Sequence, residues 1–182
     1  MAAASSSPYP FLLLLLLLLF FLFPANGAAA SADESGDYIR FYIHEKNLGT
    51  ANSTLVYSVD LHPGGSPAGF GNIIVFNSVI REEADPASPA IGIEQGFGVS
   101  SSLAQDSGLT VLELLFTAGQ YQGTSLSVFG LVKASGEEVE RGIVGGTGRF
   151  RYARGYVLSR VVGGTKETLV WELDAHVLRH GV

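Results

Sequence analysis

Three side chains in this sequence pair a reactive group with a place on an alternating strand: Glu45, Arg154 and Asp174. Glu45 shares strand parity with Ile39, Phe41 and Ile43, so an inward apolar face would carry its carboxyl toward the interior. A carboxyl enclosed by apolar groups is desolvated, its pKa rises, and it becomes a proton donor near neutral pH. The same residue, at the end of its strand, reads equally well as an exposed rim carboxylate. Arg154 follows Tyr152 at strand spacing between the small Ala153 and Gly155. A guanidinium there can hydrogen-bond a ligand oxygen, and the competing role is a structural ion pair with Glu172 or Asp174. Asp174 is a second possible interior acid.

Other chemistries lack their residues. His44-Glu45-Lys46-Asn47-Leu48 begins like a zinc-protease helix but puts Leu48 where the second histidine is required, and His176 with His180 is a lone pair near a terminus, so no metal site is expected. Gly146-Thr147-Gly148 lacks the third glycine and the following helix of a dinucleotide loop, and no Gly-X-Ser-X-Gly elbow occurs, so neither a cofactor nor a serine nucleophile is expected. The chain has no cysteine, which removes thiolate chemistry and disulfide staples together.

The elements that must position the reactive groups have a period of two. Ile39, Phe41 and Ile43 alternate with Arg40, Tyr42 and His44, and near the other end Leu169, Trp171, Leu173, Ala175 and Val177 alternate with Val170, Glu172, Asp174 and His176. Between them, residues 55–61, 71–80, 94–101, 110–117, 125–132, 139–144 and 152–161 read as further strands, divided by Gly, Pro, Ser and Asn clusters. About nine short strands and no helix predict an all-β antiparallel barrel or sandwich, and closure into a barrel removes the edges that invite aggregation. Residues 62–69 and 81–89 are predicted to be long loops at barrel mouths. The glycines of Val144-Gly145-Gly146-Thr147-Gly148 predict a tight turn, with Gly145, Gly146 and Gly148 free to take positive φ.

Residues 1–27 are a different kind of object. Phe11 to Phe23 is an unbroken apolar run holding eight consecutive leucines, shorter than the ~20 residues of a membrane-spanning helix, and Ala25-Asn26-Gly27 offers small residues for cleavage. A secretory signal peptide is expected, cut between about residues 27 and 35, leaving one domain over residues 36–182 and no membrane association after processing. All 17 acidic and 11 basic residues follow that segment, so the secreted, extracellular domain keeps the net charge of −6, which disfavours nucleic acid and anionic membrane as partners. Asn52-Ser53-Thr54 is the only glycosylation sequon, placing a glycan at Asn52 if it is used.

Five segments resemble, in order, the motifs of the plant dirigent family: Phe41-Tyr42-Ile43-His44-Glu45; Phe70-Gly71-Asn72-Ile73-Ile74-Val75-Phe76; Gly92-Ile93-Glu94-Gln95-Gly96-Phe97; Phe116-Thr117 through Tyr121-Gln122-Gly123 to Leu126; and Val144 to Gly155. The resemblance implies an eight-stranded antiparallel β-barrel like that of allene oxide cyclase. It also implies a homo-oligomer, with a trimer favoured and a dimer possible, and a phenol-lined pocket at one mouth. It departs from the family pattern where Asn77-Ser78 replace two aspartates, where Arg149 follows Gly-Gly-Thr-Gly, and where Ile93, Glu94 and Gly98 stand in the third motif; these changes bear on the product rather than the fold.

What the resemblance implies about activity is stereocontrol of phenolic coupling in lignan or lignin-type phenylpropanoid metabolism. The chain would hold phenoxy radicals or quinone methides derived from a monolignol-type phenol, with oxidation supplied by a separate laccase or peroxidase in the apoplast. Glu45, Arg154 and Asp174 are the candidate catalytic groups, and Phe41, Phe76 and Tyr152 the candidate substrate contacts. An auxiliary guide with no oxidase activity of its own is preferred to a pterocarpan-synthase-like lyase that forms a quinone methide, and a non-catalytic cell-wall phenol-binding barrel is the third reading.

Overall fold

The computed structural model of the chain describes residues 35–61, 69–103, 107–133 and 135–179. The expected signal segment and residues 62–68 of the first long loop lie outside them. Nine strands follow in order: β1 (Ser35–Lys46), β2 (Leu55–Val59), β3 (Ile73–Arg81), β4 (Ala90–Ser100), β5 (Ser107–Phe116), β6 (Thr124–Lys133), β7 (Val139–Thr147), β8 (Arg154–Gly164) and β9 (Thr168–Arg179). Among the described residues there is no α-helix, only two single 3₁₀ turns, Gly119–Tyr121 and Gly148–Phe150.

Every neighbouring pair is antiparallel, in the order β1-β9-β8-β7-β6-β5-β4-β3-β2. β1 pairs with β9 along its length, from Ser35 opposite Arg179 to Lys46 opposite Thr168. Its C-terminal part also meets the end of β3, with Tyr42 opposite Arg81 and His44 opposite Val79, and this contact closes the ring. β2 lies against the beginning of β3, with Leu55 opposite Phe76. β1 and β2 therefore share one position beside β3, and the nine segments make the expected eight-stranded antiparallel barrel.

Alternation sends one set of side chains into the barrel, and the two ends of the interior differ. At the end where β1 begins and β5 finishes, aromatic rings fill the space. Phe41 meets Phe116 edge-on at 5.8 Å, and the 3₁₀ turns deliver Tyr121 and Phe150 against that pair at 5.8 and 6.1 Å. Ring pairs in this geometry contribute about 0.5–1.5 kcal/mol each beyond their buried area. Among the described residues the opposite end, where β1 finishes and β5 begins, has no such plug.

The glycine cluster works differently from the tight turn its sequence suggests. β7 runs through Gly145 and Gly146 to Thr147, and of the three glycines only Gly148, at φ +58°, has the left-handed backbone. Gly146 is needed for closeness instead: a Cβ there would lie 2.9 Å from Phe150 Cβ and against the Ser125 carbonyl. The chain reverses at Tyr152, itself at φ +62°, so β8 starts at Arg154 rather than at Tyr152.

Candidate functional site

That opposite end of the barrel holds a cavity of about 450 Å³. Its walls are mostly apolar, with Ile43, Leu55, Ile74, Phe76, Leu112 and Leu173 among them, and Gly98 contributes no side chain at all. Three charged side chains enter this space: Glu45 from β1, Glu94 from β4 and Arg141 from β7. Each points inward by parity with buried neighbours, Glu45 with Ile43, Glu94 with Gly92, and Arg141 with Val139 and Ile143.

Arg141 is 6% exposed, and its guanidinium donates to Thr110 Oγ1 at 3.2 Å and to Ser159 Oγ at 2.8 Å. Those hydroxyls donate in turn to the carbonyls of Gly130 and Val139, so their protons point away from the arginine and their lone pairs toward it. Gly130 makes room for the stem, since a Cβ there would lie 3.0 Å from Arg141 Cγ. Arg141 Nε has no partner among the described residues. Desolvation lowers the pKa of the guanidinium, and the two carboxyls oppose that shift.

Both lumenal carboxyls are shifted the other way. Glu45 is half-buried and accepts a hydrogen bond from Trp171 Nε1 at 2.9 Å. Burial raises its pKa, against the Trp171 bond and the charge of Arg141. Glu94 is 4% exposed, and its Oε2 has no hydrogen-bond partner among the described residues. Burial, then repulsion from Glu45, push its pKa up to about 8 despite Arg141. The cavity thus holds a fixed cation, two carboxyls that disfavour being charged together, and an indole donor, all in an apolar surround.

The structure brings together only part of the predicted site. Glu45 and Phe76 line the cavity. Arg154 and Asp174 do not, because their parity is opposite to that of Ala153, Leu173 and Ala175, which face inward. Arg154 instead donates to the carbonyls of Val144 and Ala153 at 2.7 and 2.8 Å, and it pairs with neither Glu172 nor Asp174. Asp174 accepts two bonds from Arg40, at 2.6 and 2.8 Å, and one from Tyr38 at 2.7 Å on the outer face. Phe41 belongs to the aromatic plug, and Tyr152 is 62% exposed on its turn. Asn52, at φ +59°, is exposed on the turn between β1 and β2.

Glu94 and Arg141 are the charged lumenal side chains that sequence reasoning missed. On β4 the large residues Ile93 and Phe97 face outward and the Gly92, Glu94, Gly96, Gly98 series faces inward. A Cβ at Gly96 would run into Val111 O and lie 2.7 Å from the Phe76 ring, so the inner face there is too crowded for large side chains. The signal for Arg141 was its shared parity with Val139 and Ile143. A larger, outward-facing groove of about 760 Å³ lies over the β1–β3 junction with His44, Lys46, Asn77 and Arg81 on its walls, and it shares only Glu45 with the lumen.

A family model described as Dirigent-like protein matches residues 37–178. The chain is 36% identical over 132 residues to dirigent protein 15 of Arabidopsis thaliana, covering 69% of each chain. It is 29% identical over 148 residues to pterocarpan synthase 1 of Glycine max, covering 80% of each. Its fold is similar to the solved structure of a pterocarpan synthase dirigent protein with a TM-score of 0.72 and 26% identity, covering 84% of this chain and 89% of that one.

Proposed function

Since this chain belongs to the dirigent family, we propose that it holds a reactive phenolic intermediate, a phenoxy radical or a quinone methide, in its lumen and sets the stereochemistry of the bond that forms. The observation that carries this reading is the apolar cavity with an enclosed carboxyl pair and an arginine. Apolar walls suit a flat ring, and a buried acid can polarise or protonate the ligand's oxygen where charge develops. Excluding all but one approach of two reactive partners needs only the few kcal/mol that separate stereoisomeric transition states.

The same proposal covers the setting. The chain acts outside the cell after loss of its apolar N-terminal segment, carries a glycan at Asn52, and receives radicals from a separate laccase or peroxidase. It self-associates, as a trimer in preference to a dimer, through the outer face of β3 to β6. Support for that face comes from the cross-strand register, which sets Val75, Phe97, Val111 and Phe129 side by side in one exposed apolar row. Phe97 and Phe129, 44% and 46% exposed, are the residues that gain most from cover. Light scattering of the Phe97→Glu protein is expected to show a smaller particle than wild type; a wild-type monomer at micromolar concentration rejects the association.

Coniferyl alcohol incubated with a one-electron oxidant and the purified protein tests the coupling reading, with products resolved on a chiral column. An enantiomeric excess is the expected result, and a racemate rejects coniferyl alcohol as substrate. A second reading, lyase formation of a quinone methide from a cyclic phenolic alcohol, is favoured by the carboxyl pair and by the similarity to pterocarpan synthases. Turnover of a pterocarpan-type alcohol precursor without oxidant distinguishes it.

A further inference from the structure

The two lumenal carboxyl groups have the same chemistry and unequal surroundings. Glu45 Oε2 has a fixed donor, the Trp171 indole N–H, and hydrogen bonding to a carboxylate oxygen favours the ionised form. Glu94 Oε2 is buried without any partner among the described residues, and an oxygen so placed can carry charge only by forfeiting its whole solvation. Arg141 spends its guanidinium bonds on Thr110 and Ser159 and forms no ion pair with either acid among the described residues, so although its charge acts more on Glu94 than on Glu45, it leaves Glu94 Oε2 without a bonded counter-ion. Two enclosed carboxyls that repel each other favour a state with one of them protonated, and unequal surroundings decide which.

We infer that Glu94 is the proton donor to a ligand oxygen in the lumen and that Glu45 is the fixed carboxylate that takes up the ligand's own hydroxyl proton. This assignment rests on the phenolic reading of the cavity. In quinone methide formation, Glu94 gives its proton to the departing benzylic oxygen as the C–O bond breaks and water leaves. The phenol O–H passes its proton to Glu45, and its electron pair becomes the carbonyl of the quinone methide. The net change is loss of one water, with no oxidant, and return of the proton from Glu45 to Glu94 restores the chain. For bond formation onto that quinone methide in the same pose the transfers run the other way: Glu45, now protonated, returns its proton to the carbonyl oxygen, and Glu94, now a carboxylate, accepts the proton of the attacking hydroxyl. Arg141 Nε–H, unpartnered and enclosed, is a second donor available to the same ligand oxygen.

Infrared difference spectroscopy of the full folded chain at pH 6, with Glu94→Gln and Glu45→Gln compared against wild type, reads the proton directly. The carbonyl stretch of a protonated carboxyl is expected in wild type and in Glu45→Gln, and is expected to vanish in Glu94→Gln. A band lost in Glu45→Gln and kept in Glu94→Gln overturns the assignment, as does a band surviving both substitutions. If Glu94→Gln does not fold, Glu45→Gln alone decides by the same criterion. On a phenolic substrate that wild type transforms, Glu94→Gln should slow product formation about a hundredfold, the usual scale of a lost general acid. An unchanged rate in that variant rejects proton donation. A wild type inert toward phenolic substrates would overturn the phenolic reading instead, and the infrared bands would still assign the proton between the two carboxyls.

Discussion

The lumen and the outer wall of β8, β9 and β1 each carry a pair of carboxyls, and the two pairs behave oppositely. Outside, Asp174 is gripped by Arg40 and Tyr38, and the Arg40 bond holds its pKa below the usual carboxylate range. Glu172, although desolvation pushes it upward, is held low by Arg160 at 2.5 and 2.9 Å and by Tyr42 at 3.0 Å. Inside, Glu45 and Glu94 face one arginine that bonds to hydroxyls instead, and both are pushed upward. Asp174 and Leu173 are adjacent in sequence, yet one is in a salt bridge at the surface and the other is fully buried. One step of strand parity decides whether a carboxyl is paired on the outer wall or has its pKa raised in the lumen.

The most severe way to break this contrast is to take the cation from the lumen. Arg141→Leu strands a carboxylate beside Trp171 with no counter-charge, and removing one member of a buried charge set costs about 3 kcal/mol or more. Urea unfolding should show that loss, and adding Glu45→Gln to Arg141→Leu should recover most of it. If the double variant is no more stable than the single one, Arg141 acts by packing alone and the lumenal charges are not coupled.

A smaller effect separates the pairs by pH. A carboxyl whose folded pKa is raised binds a proton in the native state that the unfolded chain has released, so stability falls as pH climbs from the ordinary carboxylate range and levels off above the folded value, about 8 for Glu94. The depressed outer carboxyls contribute in the other window: their stabilisation is present above the ordinary carboxylate range and is lost as pH falls through their folded values. Thermal unfolding should therefore show Tm decreasing between about pH 5 and pH 8 in wild type. Glu94→Gln should flatten that slope and leave the acid limb intact. A slope that persists unchanged in Glu94→Gln assigns it to another group.

The strands were legible because period-two alternation is a local property, and the segments from 125–132 and 139–144 match β6 and β7 to within a few residues; closure into a barrel rather than a sandwich came from the family resemblance. The starts of β4 and β5 were not, since Ala90, Gly92, Ser107 and Gly108 look like loop residues until cross-strand pairing needs small side chains there. For the site, parity with a run of apolar residues pointed to the lumenal side for Glu45, which lines the cavity, whereas on β4 the apolar side faces outward. Which face of a strand is inside depends on what covers the outer face, and a single sequence does not carry that information. Arg154 was misplaced for a narrower reason: the left-handed Tyr152 breaks the strand, so the spacing from Tyr152 to Arg154 sets no common face.

The smallest expected effect belongs to the outer wall, and it sharpens the contrast because the sequence put Asp174 forward as an interior acid. Asp174→Asn keeps the shape, leaves Tyr38 an acceptor, and removes the charge that Arg40 grips. The arginine side chain is 46% exposed, so solvent and salt screen the pair and the stability loss should be slight, shrinking further at high ionic strength. Product distribution and rate should not change, because among the described residues the Asp174 carboxyl is bonded by Tyr38 and Arg40 on the outer face. Arg154→Lys should be equally silent toward product, since its bonds go to two backbone carbonyls that an ammonium can also reach. Stereocontrol lost in Asp174→Asn, with the fold intact by circular dichroism, would mean that the ligand is handled on the outside of the barrel, and the division of labour between the two carboxyl pairs would have to be reversed.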